Sequence, residues 1–82
     1  MSNTPENLNF KNLYDANAIG KKIALIRKKF GWSLYKLQLK SDVSRSIIKD
    51  TESGKNKIRI DNLLKIINGF NMSPAEFFQD FN

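Results

Sequence analysis

Apolar residues in this chain recur at the three- and four-residue spacing of a helix, and no stretch of any length keeps the two-residue alternation of a strand. Ile19, Ile23, Ile26 and Phe30 draw one stripe along a helix that starts near Asp15 and stops near Gly31. Beyond it, Ser33 and Ser44 each precede a short apolar-periodic run. A serine there can accept hydrogen bonds from the unpaired N–H groups of a first helical turn. The spacing therefore predicts a second helix over 33–40 and a third over 44–53, with Leu34, Leu37, Val43, Ile47 and Ile48 inward. Lys40, Ser41 and Asp42 supply the break between them, and aspartate tolerates the left-handed backbone of a sharp turn. Gly54 closes the third helix, because glycine reaches positive φ without steric cost. Ile60, Leu63, Leu64 and Ile67 mark a fourth helix stopped near Gly69 and Asn71. Ser73, Pro74 and Glu76 then combine an N-cap serine, a proline at the first helical position and a glutamate at the third, the capping-box arrangement. They open a fifth helix bearing Phe77, Phe78 and Phe81.

The result is an all-α chain of five short helices without an internal repeat. Before it, residues 1–14 are Asn-rich with scattered apolar positions (Leu8, Phe10, Leu13, Tyr14), which predicts a flexible arm whose second half folds onto a domain over 15–82. Helices two and three, each of about nine residues and joined by a three- or four-residue turn, match the helix-turn-helix motif. That motif lays its second helix in the major groove of DNA.

Composition narrows the chemistry. Eighty-two residues make one domain, and a chain of this size buries only about 60 to 65% of its unfolded surface, which suits a compact bundle. With no cysteine and no histidine, the chain lacks disulfides, thiolate nucleophiles, the usual zinc ligand sets and the commonest general base. Neither a membrane-length apolar run nor a signal peptide is present, so the expectation is a soluble, cytoplasmic protein with no cofactor and no evident small-molecule ligand. Net charge is +6, unevenly placed: residues 21–65 carry thirteen Lys or Arg against four acids, or +9, while both ends are slightly negative. A basic stretch between non-basic ends is the footprint of a phosphate-binding face, against the plainer reading of solvated helix lysines. No carboxylates stand in catalytic spacing with a nucleophile or a Gly-rich phosphate loop, so an enzyme is not expected.

From Ile19 to Phe78 the run IGKKIALIRKK, GWS, KLQLKSDVSRSIIKDTESGK and LLKIINGFNMSPAEFF resembles the phage-repressor-like family of helix-turn-helix proteins, also called Cro/CI-type or xenobiotic-response-element type. Arg27, the Val43–Ser44 pair, Glu52 to Gly54 and the MSPAEFF segment carry the likeness through their joint spacing. The resemblance implies a five-helix lambda-repressor-like domain in a small bacterial or phage transcriptional regulator, acting as a homodimer on an inverted repeat in double-stranded DNA. It implies base reading by Arg45, Ser46, Lys49 and Asp50: arginine can engage guanine O6 and N7, serine either base edge, and aspartate cytosine N4. Gripping of phosphates by Arg45 and Lys49 is the alternative, and Asp50 can instead orient Arg45 or reject wrong sequences. Ser44, Lys36, Lys55, Asn56, Lys57 and Arg59 are the phosphate candidates that would set register without reading sequence, ordinary solvated loop groups being the alternative.

Arg27 and Glu52 are expected to pair, and Phe77, Phe78 and Phe81 are candidates first for the core and then for a dimer contact. Trp32 is expected to be a packed hinge residue. The family usually has glutamine at Leu34, alanine at Gln38, glycine at Asp42 and isoleucine or leucine at Thr51. Leu34 removes a side-chain phosphate contact, although backbone N–H groups at a helix start still attract phosphate. Thr51 is expected to cost core burial and loosen the third helix. Gln38 and Leu39 exchange polarity, through either a rotated second helix or an apolar contact for a partner. Leu34, Leu39 and Asp50 motivate the rival reading, a protein-interaction or antitoxin-like module that keeps the fold without specific DNA binding.

Overall fold

A computed structural model describes residues 16–79 and 81. Among them lie five α-helices: α1 (Ala16–Lys29), α2 (Leu34–Ser41), α3 (Arg45–Glu52), α4 (Ile60–Gly69) and α5 (Pro74–Phe78). The expected arm over 1–14, with Leu8, Phe10, Leu13 and Tyr14, lies outside the described residues.

Local chemistry sets where these helices start and stop. The side chains of Ser33, Ser44 and Ser73 accept from the backbone N–H groups of Lys36, Ile47 and Glu76, and Glu76 completes the capping box on Ser73. Three helices end in the same paired pattern, in which two N–H groups beyond the helix reach back to its last carbonyls. After α1, Gly31 at φ +70 and Trp32 donate to the Lys28 and Arg27 carbonyls. After α3, Gly54 at φ +77 and Lys55 donate to Thr51 and Asp50. After α4 the left-handed residue is Asn71, φ 60, and Gly69 stays inside the helix.

One core holds the bundle. Ile23 and Ile26 of α1, Leu37 of α2, Val43 of the turn, Ile48 of α3, Leu63, Ile66, Ile67 and Phe70 around α4, and Phe77 of α5 are all buried together. α1 packs on α3, α2 on both α3 and α4, and α4 on α5. The α1–α3 approach is close enough that a Cβ at Gly20 would overlap the Thr51 carbonyl oxygen. Trp32 stacks on Phe70 and packs against Phe30, so it closes the α1–α2 corner as a packed hinge residue.

Several inner-face assignments change. Phe30 lies past the end of α1 and is exposed, as are Ile47 of α3 and Ile60 and Leu64 of α4, while Ile66 is fully buried. The buried stripe of α4 is thus Leu63, Ile66, Ile67 and Phe70. Thr51 is buried rather than lost from the core: its Oγ1 donates to the Ile47 carbonyl at 2.8 Å, which satisfies the hydroxyl and leaves its methyl for packing. Phe77 has no exposed surface and is a core residue; Phe78 and Phe81 pack edge-on and stacked against it.

Candidate nucleic-acid interface

The turn between α2 and α3 is built from its own side chains. Asp42 takes a left-handed conformation, φ 61 and ψ 30, and its N–H donates to the Gln38 carbonyl. Ser41, buried beneath the turn, donates from Oγ to the Leu37 carbonyl at 2.7 Å and accepts the Val43 N–H at 3.2 Å. Among the described residues no buried side-chain polar atom is left without a partner, and the buried Val43 pins the turn to the core.

α3 then presents two faces. Ile48 and Thr51 point into the core, whereas Arg45, Ser46 and Lys49 are exposed. Arg45 with Lys49, and Ser46 with Asp50, are four residues apart and so neighbours on the helix surface. Both ends of α3 are held from outside it. At its start Ser44 Oγ accepts the Ile47 N–H at 3.3 Å and Gln38 Oε1, from α2, accepts the Arg45 N–H at 2.7 Å. At its end the Glu52 carboxylate takes two bonds from Arg27, Nε to Oε2 at 2.7 Å and Nη2 to Oε1 at 2.9 Å. Arg27 Nη1 also donates to the Trp32 carbonyl at 2.8 Å, so the pair links α1, the α1–α2 corner and α3. Each of the two side chains is only 12% exposed. The bond to Glu52 raises the Arg27 pKa above its already high ordinary value, burial opposes this, and the carboxylate charge adds to the rise.

Asp50 is half-buried and faces the loop that follows. Its carboxylate accepts from Asn56 Nδ2 at 3.3 Å and its carbonyl accepts the Lys55 N–H at 2.9 Å. It therefore holds the 55–57 loop, and the expected alternative of a contact orienting Arg45 is not made. Lys55, Asn56 and Lys57 are exposed on that loop, as is Lys36 on α2. Arg59 pairs with Asp61 at 3.2 Å, with side chains 79% and 56% exposed. A pair so solvated contributes little and leaves Arg59 able to exchange partners. Ser46, Asp50, Asn56, Lys57 and Arg59 come together around one open cleft of about 360 Å³ between α3, the loop and α4.

Gln38 and Leu39 take different tasks. Gln38 is half-buried and caps α3, Leu39 is 60% exposed, and the inner face of α2 still carries Leu37 and Ser41. The capping role was missed in the sequence because the two bonded atoms lie seven residues apart, across a turn whose geometry is not periodic. Among the described residues no cluster of His, Cys, Asp or Glu is placed to hold a metal ion, and no helix is long and apolar enough to cross a membrane.

A short capped helix with a polar outer face, carried on a second helix and followed by a basic loop, is the arrangement that reads duplex DNA. The helix-turn-helix family matches residues 23–77, more than half of the chain. The chain belongs to this family, whose helix-turn-helix is of the Cro/CI type. The protein is accordingly a DNA-binding transcriptional regulator of the helix-turn-helix type. Neither the curated proteins nor the solved structures searched contain a match to it.

Proposed function

We propose that this helix-turn-helix protein represses transcription in the cytoplasm by binding an inverted-repeat operator as a homodimer. Arg45, Ser46, Lys49 and Asp50 read bases, and Ser44, Lys36, Lys55, Asn56, Lys57 and Arg59 grip phosphates. The observation that carries the reading is α3 itself: its inner face is in the core, both ends are bonded to other elements, and Arg45, Ser46 and Lys49 are left to solvent. Asp50 reads a base only with the carboxylate capacity that Asn56 leaves over, so its contribution is the smallest of the four. For the dimer, the supporting surface is on α4, where Ile60 is 66% and Leu64 44% exposed, with the half-buried Phe78 and Phe81 as further candidates.

The test is selection of bound sites from random duplexes, followed by a salt series on operator and random DNA. Lys55→Ala and Lys57→Ala should weaken binding about equally on every sequence and flatten the slope of log affinity against log salt by roughly 0.9 per lost contact. Arg45→Ala should cost about 1 to 3 kcal/mol on the operator and relax preference at one base pair per half-site. A second reading, a protein-interaction module, is favoured by the exposed Tyr35 and Leu39 one turn apart on α2. A wild type that prefers no sequence would establish that reading and sink the first.

A further inference from the structure

The first residues of a helix have N–H groups with no partner inside the helix. In α3 the first of these, on Arg45, is taken by a side chain of another helix: Gln38 Oε1 accepts it at 2.7 Å, a shorter bond than the 3.3 Å cap made by Ser44. The partners differ in freedom, since Gln38 is half-buried on α2 whereas Arg45 is exposed. A half-buried side chain of α2 thus holds the backbone from which an exposed arginine projects. The neighbouring constraints act elsewhere on the helix, with Asn56 on Asp50 and Arg27 on Glu52. Gln38 is the link from α2 at the end where Arg45 begins.

We propose that Gln38 is a positioning residue for base recognition, which fixes the first turn of α3 and thereby sets the discrimination Arg45 imposes, without itself touching a base. The inference rests on the reading of Arg45 as a base contact. Its physical content is that a bidentate arginine-to-base geometry tolerates displacements of only about 0.5 Å, so the backbone under the arginine has to be held by groups that are themselves held. The alternative roles for Gln38 are a phosphate contact, which acts on all sequences, and a plain contribution to helix stability.

The experiment compares wild type, Gln38→Ala, Gln38→Glu, Arg45→Ala and the Gln38→Ala/Arg45→Ala double variant. Each is measured on the selected operator, on random duplex, and on the operator altered at the base pair whose preference Arg45→Ala loses. Alanine suits the interior of α2, so the fold is retained, and glutamate keeps an acceptor oxygen on the Arg45 amide. Gln38→Ala should lose about fivefold of the discrimination at that base pair while its affinity for random duplex changes less than about twofold. Gln38→Glu should keep the discrimination and bind every duplex more weakly, because its charge repels phosphates. The double variant should discriminate no worse than Arg45→Ala alone, since the two groups act as one unit. Equal loss on every duplex after Gln38→Ala, or discrimination as full as wild type, overturns the inference alone. A wild type without any operator preference overturns it together with the functional reading.

Discussion

Arg27 carries a charge into the seam between α1 and the end of α3, and the completeness of its bonding makes this tolerable. Its Nε and Nη2 meet both Glu52 oxygens and its Nη1 meets the Trp32 carbonyl. Taking away one partner leaves the other charge poorly solvated. Glu52→Gln should therefore destabilise the protein by about 2 to 4 kcal/mol, while Arg27→Met with Glu52→Leu should come back towards wild type. Urea midpoints of the three variants check this; a Glu52→Gln midpoint equal to that of wild type means the pair is not holding the helices together. The same pair bears on pH. Because the folded Arg27 pKa is raised, its contribution is fully present below the unfolded value and is lost only as pH rises through the folded one, in strong alkali. The chain has no histidine, so no side chain ordinarily changes charge near neutrality. The melting temperature should accordingly be flat between about pH 6 and 9, and a step in that range would contradict it.

At the scale of elements, α3 has eight residues, too few to persist alone in water. It exists because its caps, the turn and its neighbours hold it. The turn is where stability can still be gained. Asp42 sits at φ 61 and its side chain makes no hydrogen bond among the described residues, so an L-residue strain is retained there without a compensating contact. Asp42→Gly should stabilise by about 0.5 to 1 kcal/mol and Asp42→Ala should destabilise, since alanine lacks the tolerance of aspartate for this region. Thermal melts of the two variants moving in the same direction would show that the turn changes shape on substitution.

For the whole molecule, exposed apolar side chains lie on several helices, among them Leu25 on α1, Tyr35 and Leu39 on α2, and Ile60 and Leu64 on α4. Among the described residues the basic side chains gather on α1, the α2–α3 unit and the loop after α3, with Lys65 alone inside α4, where Ile60 is the most exposed of the large hydrophobics. A two-fold pairing through α4 would leave both recognition helices free, at the roughly 34 to 36 Å that separates successive major grooves. Ile60→Glu and Leu64→Glu alter residues that contribute little to the protomer core, so the melting transition at low concentration should be retained. Sedimentation of wild type against these variants is the check: dimer loss in the variants is expected, and a wild type that stays monomeric with and without operator removes the pairing.

The helix starts at Ser33, Ser44 and Ser73 and the stops at Gly31, Asp42, Gly54 and Asn71 were legible in the sequence, because capping joins groups three to five residues apart and depends on nothing distant. So was α1, whose fourteen residues repeat the apolar stripe often enough to fix its inner face. Helices of eight and ten residues do not, and their rotation about their own axes was decided by neighbours, which turned Ile47, Ile60 and Leu64 outward and Ile66 inward. Thr51 belongs with these, since only the tertiary structure shows that it is buried, with its hydroxyl satisfied within the helix and its backbone carbonyl closely approached by Gly20 of α1. The Arg27–Glu52 pair was legible through resemblance alone, because nothing periodic relates residues 25 positions apart. The bonds from Gln38 to Arg45 and from Asn56 to Asp50 were decided by the tertiary structure, for the physical reason that each crosses a turn and is made only after the packed elements have set the distance.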